Sequence, residues 1–229
     1  MLTVTLTPLS LGAKISGTED DLMELYEAIS DILPEDEEWD HVLFTLGLNY
    51  DLRKAWSGER EVETINMPIV ENSTVHLPQK IYSVDVLLPI LICQIHILFS
   101  YVELFYLKYE KSLRLIEHLN QELIYKIEEK SEDAALFYLN WSENNAPFSQ
   151  NYNFAHIDLV TSEYIKLSGE RIHHLIDVIK DLTENSESYC TTATLIDKAV
   201  LKLNCLPSNV IFDEPLETYE QLDKGQYLW

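Results

Sequence analysis

Twelve carboxylates stand between Lys14 and Arg53 with no lysine or arginine among them: Glu19, Asp20, Asp21, Glu24, Glu27, Asp31, Glu35, Asp36, Glu37, Glu38, Asp40 and Asp51. Such a block cannot neutralise itself locally, and the chemistry open to it is ionic recognition of a cationic partner. On a helix, Asp20, Glu24, Glu27 and Asp31 fall at i, i+4, i+7 and i+11, which lines one face over about 16 Å. Like charges at this spacing are unfavourable by about 0.2–0.5 kcal/mol per pair. A basic partner removes that penalty and gains long-range steering, worth about 10 to 1,000-fold in association rate at low salt. The competing reading is a solvated outer face that keeps the chain dissolved.

A second set of residues has the types, though not the number, for metal chemistry. Glu170-Arg171-Ile172-His173-His174-Leu175-Ile176-Asp177 contains a Glu-x-x-His pair, Glu170 and His173, with Asp177 one turn further on. Di-metal sites in helical bundles use such a pair twice, with two more glutamates facing inward. No second pair occurs, so Glu170, His173 and Asp177 are half of a site, and an exposed polar helix face explains them as well. No cofactor is expected. His96 sits in an apolar stretch and reads as a hydrogen-bonded core histidine. Nucleophilic catalysis leaves no trace, since there is no Gly-x-Ser-x-Gly elbow and no local cysteine signature.

The elements that position these groups follow from periodicity. Leu2, Val4 and Leu6 alternate with threonines as in a half-buried strand, with Ala13 to Ser16 as its hairpin partner. Thr18 is placed to cap a helix over Glu19 to Ile32, whose first turn carries three acids at the positive end of the helix dipole. Val42 to Leu48 fits strand or helix, and Asn49 is placed to cap a short helix through Trp56. Glu61 to Ile65 and Ile81 to Val86 predict further strands. From Leu87 the texture is helical. Leu87 to Leu107 is long enough to span a bilayer, but Gln94, His96 and Glu103 within it and the lack of flanking basic clusters make it a core helix. The apolar pattern continues as one long or kinked helix toward Glu129. Helices are also expected at Glu132 to Trp141, at Ala155 to Leu182 with a break near Gly169, and at Thr194 to Leu203.

The predicted fold is therefore α+β: a small N-terminal antiparallel sheet with helices, packed on a helical bundle of long helices. Residues 1–86 form the acidic α+β region and 87–229 the bundle region, with no clear linker, so that the two can share one core. The chain has 229 residues, 16 Lys plus Arg, 39 Asp plus Glu and a net charge of −23. That charge excludes binding to nucleic acid through phosphate neutralisation, and six glycines leave little for a phosphate-cradling loop. Cys93, Cys190 and Cys205 are widely spaced and are expected to be buried reduced thiols. The opening Met1 to Thr7 has no basic stretch and no uninterrupted apolar run, which points to a cytoplasmic location.

Tyr50-Asp51-Leu52-Arg53-Lys54-Ala55, Gly58-Glu59-Arg60-Glu61 and Val84-Asp85-Val86-Leu87-Leu88-Pro89 carry a resemblance. The chain resembles an uncharacterised bacterial domain-of-unknown-function family whose members open with a strand. They continue through Gly-x-x-x-Asp-Leu-x-x-Leu-Tyr, which Gly17, Asp21, Leu22, Leu25 and Tyr26 fit. The resemblance covers the first half, to about Tyr109, and implies a bacterial context without an activity or cofactor. Its polar positions Asp51, Arg53, Arg60 and Glu61 are expected to form a structural ion-pair cluster, because Arg–carboxylate pairs often brace turns.

These readings converge on a non-enzymatic bacterial inhibitor or immunity-type protein that binds a basic protein, a toxin nuclease or a DNA-binding protein, by charge complementarity. Asp20, Glu24, Glu27 and Asp31 with the loop Glu35, Asp36, Glu37 and Glu38 would register the partner, and Trp39 or Trp56 would supply an aromatic anchor. Two alternatives belong to other classes. One is a structural or regulatory subunit of a bacterial phage-defence assembly, a homo-oligomer through the Leu87 to Ile127 helices. The other is a metal-dependent helical-bundle enzyme. No direct contact with nucleic acid or membrane is expected.

Overall fold

Strand alternation decides which way the sheet faces. In this computed structural model, which describes residues 2–34, 40–68, 76–105, 110–144, 148, 152–205, 207 and 210, strands β1 (Thr3–Leu6) and β2 (Gly12–Gly17) form the expected hairpin. Strands β3 (Glu61–Pro68) and β4 (His76–Leu87) form a second hairpin, and the antiparallel order is β1-β2-β4-β3. Val4 faces Ile15, Ile15 faces Val84 and Ala13 faces Val86, so one side of the sheet is a buried apolar layer. The intervening residues, Thr3, Thr5, Lys14, Ser16, Ser83 and Asp85, give the opposite side its polar character.

Helix α1 (Glu19–Ile32) occupies the predicted residues. Thr18 caps it by accepting from the Asp21 amide, while the Asp21 carboxylate accepts from the Thr18 amide and hydroxyl. A methyl group on Gly17 would sit 2.8 Å from the Asp21 Cβ, which gives the Gly-x-x-x-Asp spacing a steric reason: the glycine lets the capping carboxylate fold back over the strand end. Gly17→Ala is expected to destabilise the fold by about 1–3 kcal/mol through that overlap, measured as a lower urea midpoint with an unchanged slope.

Helix α2 (Asp40–Lys54) resolves the ambiguity at Val42 to Leu48 in favour of helix and corrects the role of Asn49. Asn49 is not a cap. It lies inside α2, buried, and its Nδ2 donates to Ser30 Oγ at 2.9 Å. A π-helical turn, Ala55–Glu59, closes α2, and Gly58 takes φ +80° to release the chain into β3.

The bundle begins with α3 (Leu88–Phe105), whose Leu88, Leu91, Ile92, Cys93, Ile95, Ile97 and Leu98 are all buried. Gln94 and His96 each meet a neighbouring element. Gln94 Nε2 donates to the Phe44 carbonyl at 3.1 Å, and His96 packs 4.5 Å from the Trp141 ring and edge-on to Phe148. Among the described residues no helix is long and apolar enough to cross a membrane. Toward Glu129 the described residues form a further helix, α4 (Glu110–Glu128), and residues 106–109, where the expected long or kinked helix would join it to α3, lie outside the described residues. Next come α5 (Glu132–Asn144) and α6 (Ala155–Lys166), then a 3-10 turn (Arg171–His174) and α7 (Leu175–Leu182), with Gly169 at φ +79° marking the expected break. Helix α8 (Glu187–Leu203) starts earlier than expected, capped by Ser186, and it carries Cys190 exposed rather than buried. One continuous buried cluster runs from Leu2 through α3 to Tyr189 and joins sheet and bundle.

Candidate functional site

Helix α1 buries Leu22, Leu25, Ile29 and Ile32 and turns Asp20, Glu24, Glu27 and Asp31 to solvent. Two of the four are tied to the first turn of α4: Lys111 Nζ lies 3.3 Å from Glu24, and Ser112 Oγ donates to Asp31 at 2.9 Å. Asp20 and Glu27 have no ion-pair or hydrogen-bond partner among the described residues, so the uncompensated charge of this face is centred on them. Glu35, Asp36, Glu37, Glu38 and Trp39 lie outside the described residues. Trp56 is half-buried against Tyr26, with ring centroids 5.2 Å apart and planes at 88°, and so braces α1 against the π-helical turn.

Of the four motif residues, the structure brings two together. Arg60 Nη2 contacts Asp51 Oδ1 at 2.9 Å across the turn. Burial pushes the Asp51 carboxyl up against the opposing pull of Arg60. Arg53 instead lies 5.6 Å from the centre of the Tyr50 ring, and Glu61 pairs with Lys14 on β2. Lys54 and Glu59 pair beside them. These contacts brace the end of α2 across the π-helical turn and tie β3 to β2 across the polar face of the sheet.

Glu170, His173 and Asp177 do not converge. The segment from Arg171 to His174 is a 3-10 turn, and Glu170 precedes it with extended backbone (φ −80°, ψ 104°), so the Glu-x-x-His pair does not lie within one helix. Glu170 accepts from Ser10 Oγ at 2.5 Å and lies 3.9 Å from Lys130, His173 is exposed, and Asp177 pairs with Lys180 at 3.2 Å. Among the described residues there is no group of three or more His, Cys, Asp or Glu placed to hold a metal.

A groove of about 270 Å³ between α6, α7 and the start of α8 is the feature the sequence did not reveal. Its apolar floor includes Val160 and Val178, its rim carries Glu163 and Asp181, and His156 forms part of the wall. His156 Nε2 donates to the Asp181 carbonyl at 2.8 Å, and Nδ1 lies 3.2 Å from Thr192 Oγ1, whose hydroxyl donates to the Ser188 carbonyl. Burial pushes the His156 pKa below its ordinary value of 6.5. Below about pH 6.5 the unfolded chain therefore takes up a proton that the native site resists, and stability is lost as pH falls. His41 is lowered by burial as well, so the test is a comparison. His156→Gln is expected to remove part of the loss in urea midpoint between about pH 7.5 and about pH 5.5, a part worth up to about 1.4 kcal/mol per pH unit. An unchanged pH dependence would refute it. The sequence signal was His156 itself, on the inner face of α6, but its partners lie 25 and 36 residues away.

A family model described as "Domain of unknown function (DUF6904)" matches residues 2–222, well past the first half on which the sequence resemblance rests. Neither the curated proteins nor the solved structures contain a significant match.

Proposed function

We propose, for a chain that belongs to the DUF6904 family of unknown function, that it is a non-catalytic binding protein of the inhibitor or immunity type, which captures a basic protein by charge complementarity. One observation carries this reading: the outer face of α1 presents carboxylates to solvent, two of them unpaired among the described residues, on a chain of net charge −23. The face is rigidly mounted. Its helix is capped at Thr18, its inner side is locked into the core, and Glu24 and Asp31 are held by α4. Preorganised charge of this kind acts mainly on encounter rate and register. A toxin nuclease or a DNA-binding protein is the partner class that fits, because each carries a phosphate-binding groove that carboxylates can occupy.

The experiment is co-purification from a bacterial host with mass spectrometry, followed by titration of the recovered partner at rising salt. A basic partner whose affinity falls steeply with ionic strength is expected. Recovery of no basic protein, or binding indifferent to salt, would overturn the reading.

A further inference from the structure

β3 is an edge strand of eight residues, and the charges that guard it are acidic, Glu61 and Glu63. Natural edges are kept short, bear charged side chains or proline, or are covered by another element. β3 has no lysine, and its proline, Pro68, is its last residue. Among the described residues only β4 and the π-helical turn pack on it to any extent. Glu61, Val62, Glu63, Thr64 and Asn66 are exposed, Val62 at 40%.

The hairpin also outreaches the sheet. β2 pairs with β4 only from Leu87 back to Tyr82, so the six pairs from Glu63 opposite Ile81 to Pro68 opposite His76 project as a two-stranded arm, about 20 Å long. Leu77 on that arm is 58% exposed. Two strands alone in water are marginally stable, and a third strand would supply the missing backbone partners.

We infer that the outer edge of β3, from Glu61 to Asn66, is a docking site for an extended basic segment of a partner protein, which adds to the sheet as a fifth strand. Charge selects the occupant. A second copy of the chain would set −23 against −23, whereas cationic side chains at alternate positions of an incoming strand would meet Glu63 and, beside its pair with Lys14, Glu61, which share one face. The inference rests on the basic-partner reading and adds to it where the main chain of the partner goes.

The probe is an acetylated, amidated decapeptide of alternating lysine and threonine, compared with its fully N-methylated counterpart of equal charge, at about 0.15 M salt. With the ¹⁵N-labelled full chain, the plain peptide is expected to shift and protect the amides of residues 61–66. It should bind at least about tenfold more tightly than the methylated one, which has lost the donors for the ladder. Glu61→Lys with Glu63→Lys should weaken it by about tenfold, and Glu61→Gln with Glu63→Gln tests the same point if the reversed variant fails to fold. Equal binding of the two peptides, or shifts confined to α1, would overturn the edge while leaving the charge reading in place. Absence of binding by either peptide would overturn the edge and count against the charge reading too.

Discussion

Arg171→Met is expected to lower the stability of the fold by about 2–4 kcal/mol, seen as a drop of about 5–15 °C in Tm. Arg171 is only 3% exposed, although arginine is almost never buried without a carboxylate partner. Its Nε donates to the Tyr164 carbonyl at 3.1 Å and its Nη2 to the Ile165 carbonyl at 3.0 Å, so the guanidinium closes the last turn of α6 at the negative end of that helix. Its backbone amide donates to the Leu9 carbonyl at 3.2 Å. The Tyr164 hydroxyl donates to the Ser10 carbonyl, and Ser10 Oγ donates to Glu170. The turn between β1 and β2, where Ser10 takes φ +52°, is thereby held to the far end of the chain. Methionine keeps much of the stem volume but takes the side-chain donor from the Ile165 carbonyl and leaves the Tyr164 carbonyl only the Leu167 amide at 3.3 Å, with each lost charge-assisted bond worth about 1.5–3 kcal/mol, while the removed charge relieves some desolvation. Lysine keeps the charge but not the fork that reaches both carbonyls, so Arg171→Lys should recover only part of the loss. An unchanged melting temperature in Arg171→Met would show that the guanidinium does not hold α6 to the hairpin.

That bridge was not legible in the sequence, and the reason is separation: Tyr164 and Ser10 are 154 residues apart, and Glu170 and Ser10 are 160 apart. What was legible depended on local period. The threonine–apolar alternation of β1, the Thr18 cap and apolar spacing of α1, and the break at Gly169 each carry their own physical signal. α2 defeated the same procedure because its inner face mixes Thr45 and Asn49 with Val42, Leu48 and Leu52, with Thr45 Oγ1 donating to the His41 carbonyl and Asn49 Nδ2 to Ser30. A buried asparagine with a tertiary partner looks, in one dimension, like a cap. The metal reading met a related obstacle at Glu170, since i, i+3 spacing predicts a shared face only if both residues lie within the helix, and Glu170 is the extended residue before the turn, bonded to Ser10 instead. The α6–α7–α8 groove is a product of helix packing alone, and Cys190 shows that residue type did not decide burial on α8.

Asp20→Lys with Glu27→Lys is expected to slow association with the recovered basic partner by about tenfold or more at low salt and to flatten the dependence of that rate on ionic strength. The two positions are chosen because they are exposed and unpaired among the described residues, so the change is to the field and not to the packing. It also leaves the helix nearly neutral in energy. Asp20→Lys, beside Glu24, and Glu27→Lys, beside Asp31, turn like-charge neighbours into opposite ones, worth about 0.2–0.5 kcal/mol each. A cation in the first turn meets the positive end of the helix dipole, which returns an amount of similar size. Glu24→Lys with Asp31→Lys makes the contrasting case, because Lys111 and Ser112 of α4 then lose their partners. That variant should lose melting temperature as well as association rate. A solvating coat would behave differently: any pair of surface reversals with the same change in net charge would have the same small effect on binding. If the Asp20 and Glu27 pair cannot be told from reversals elsewhere on the surface, the acidic face of α1 is a coat and not a recognition surface.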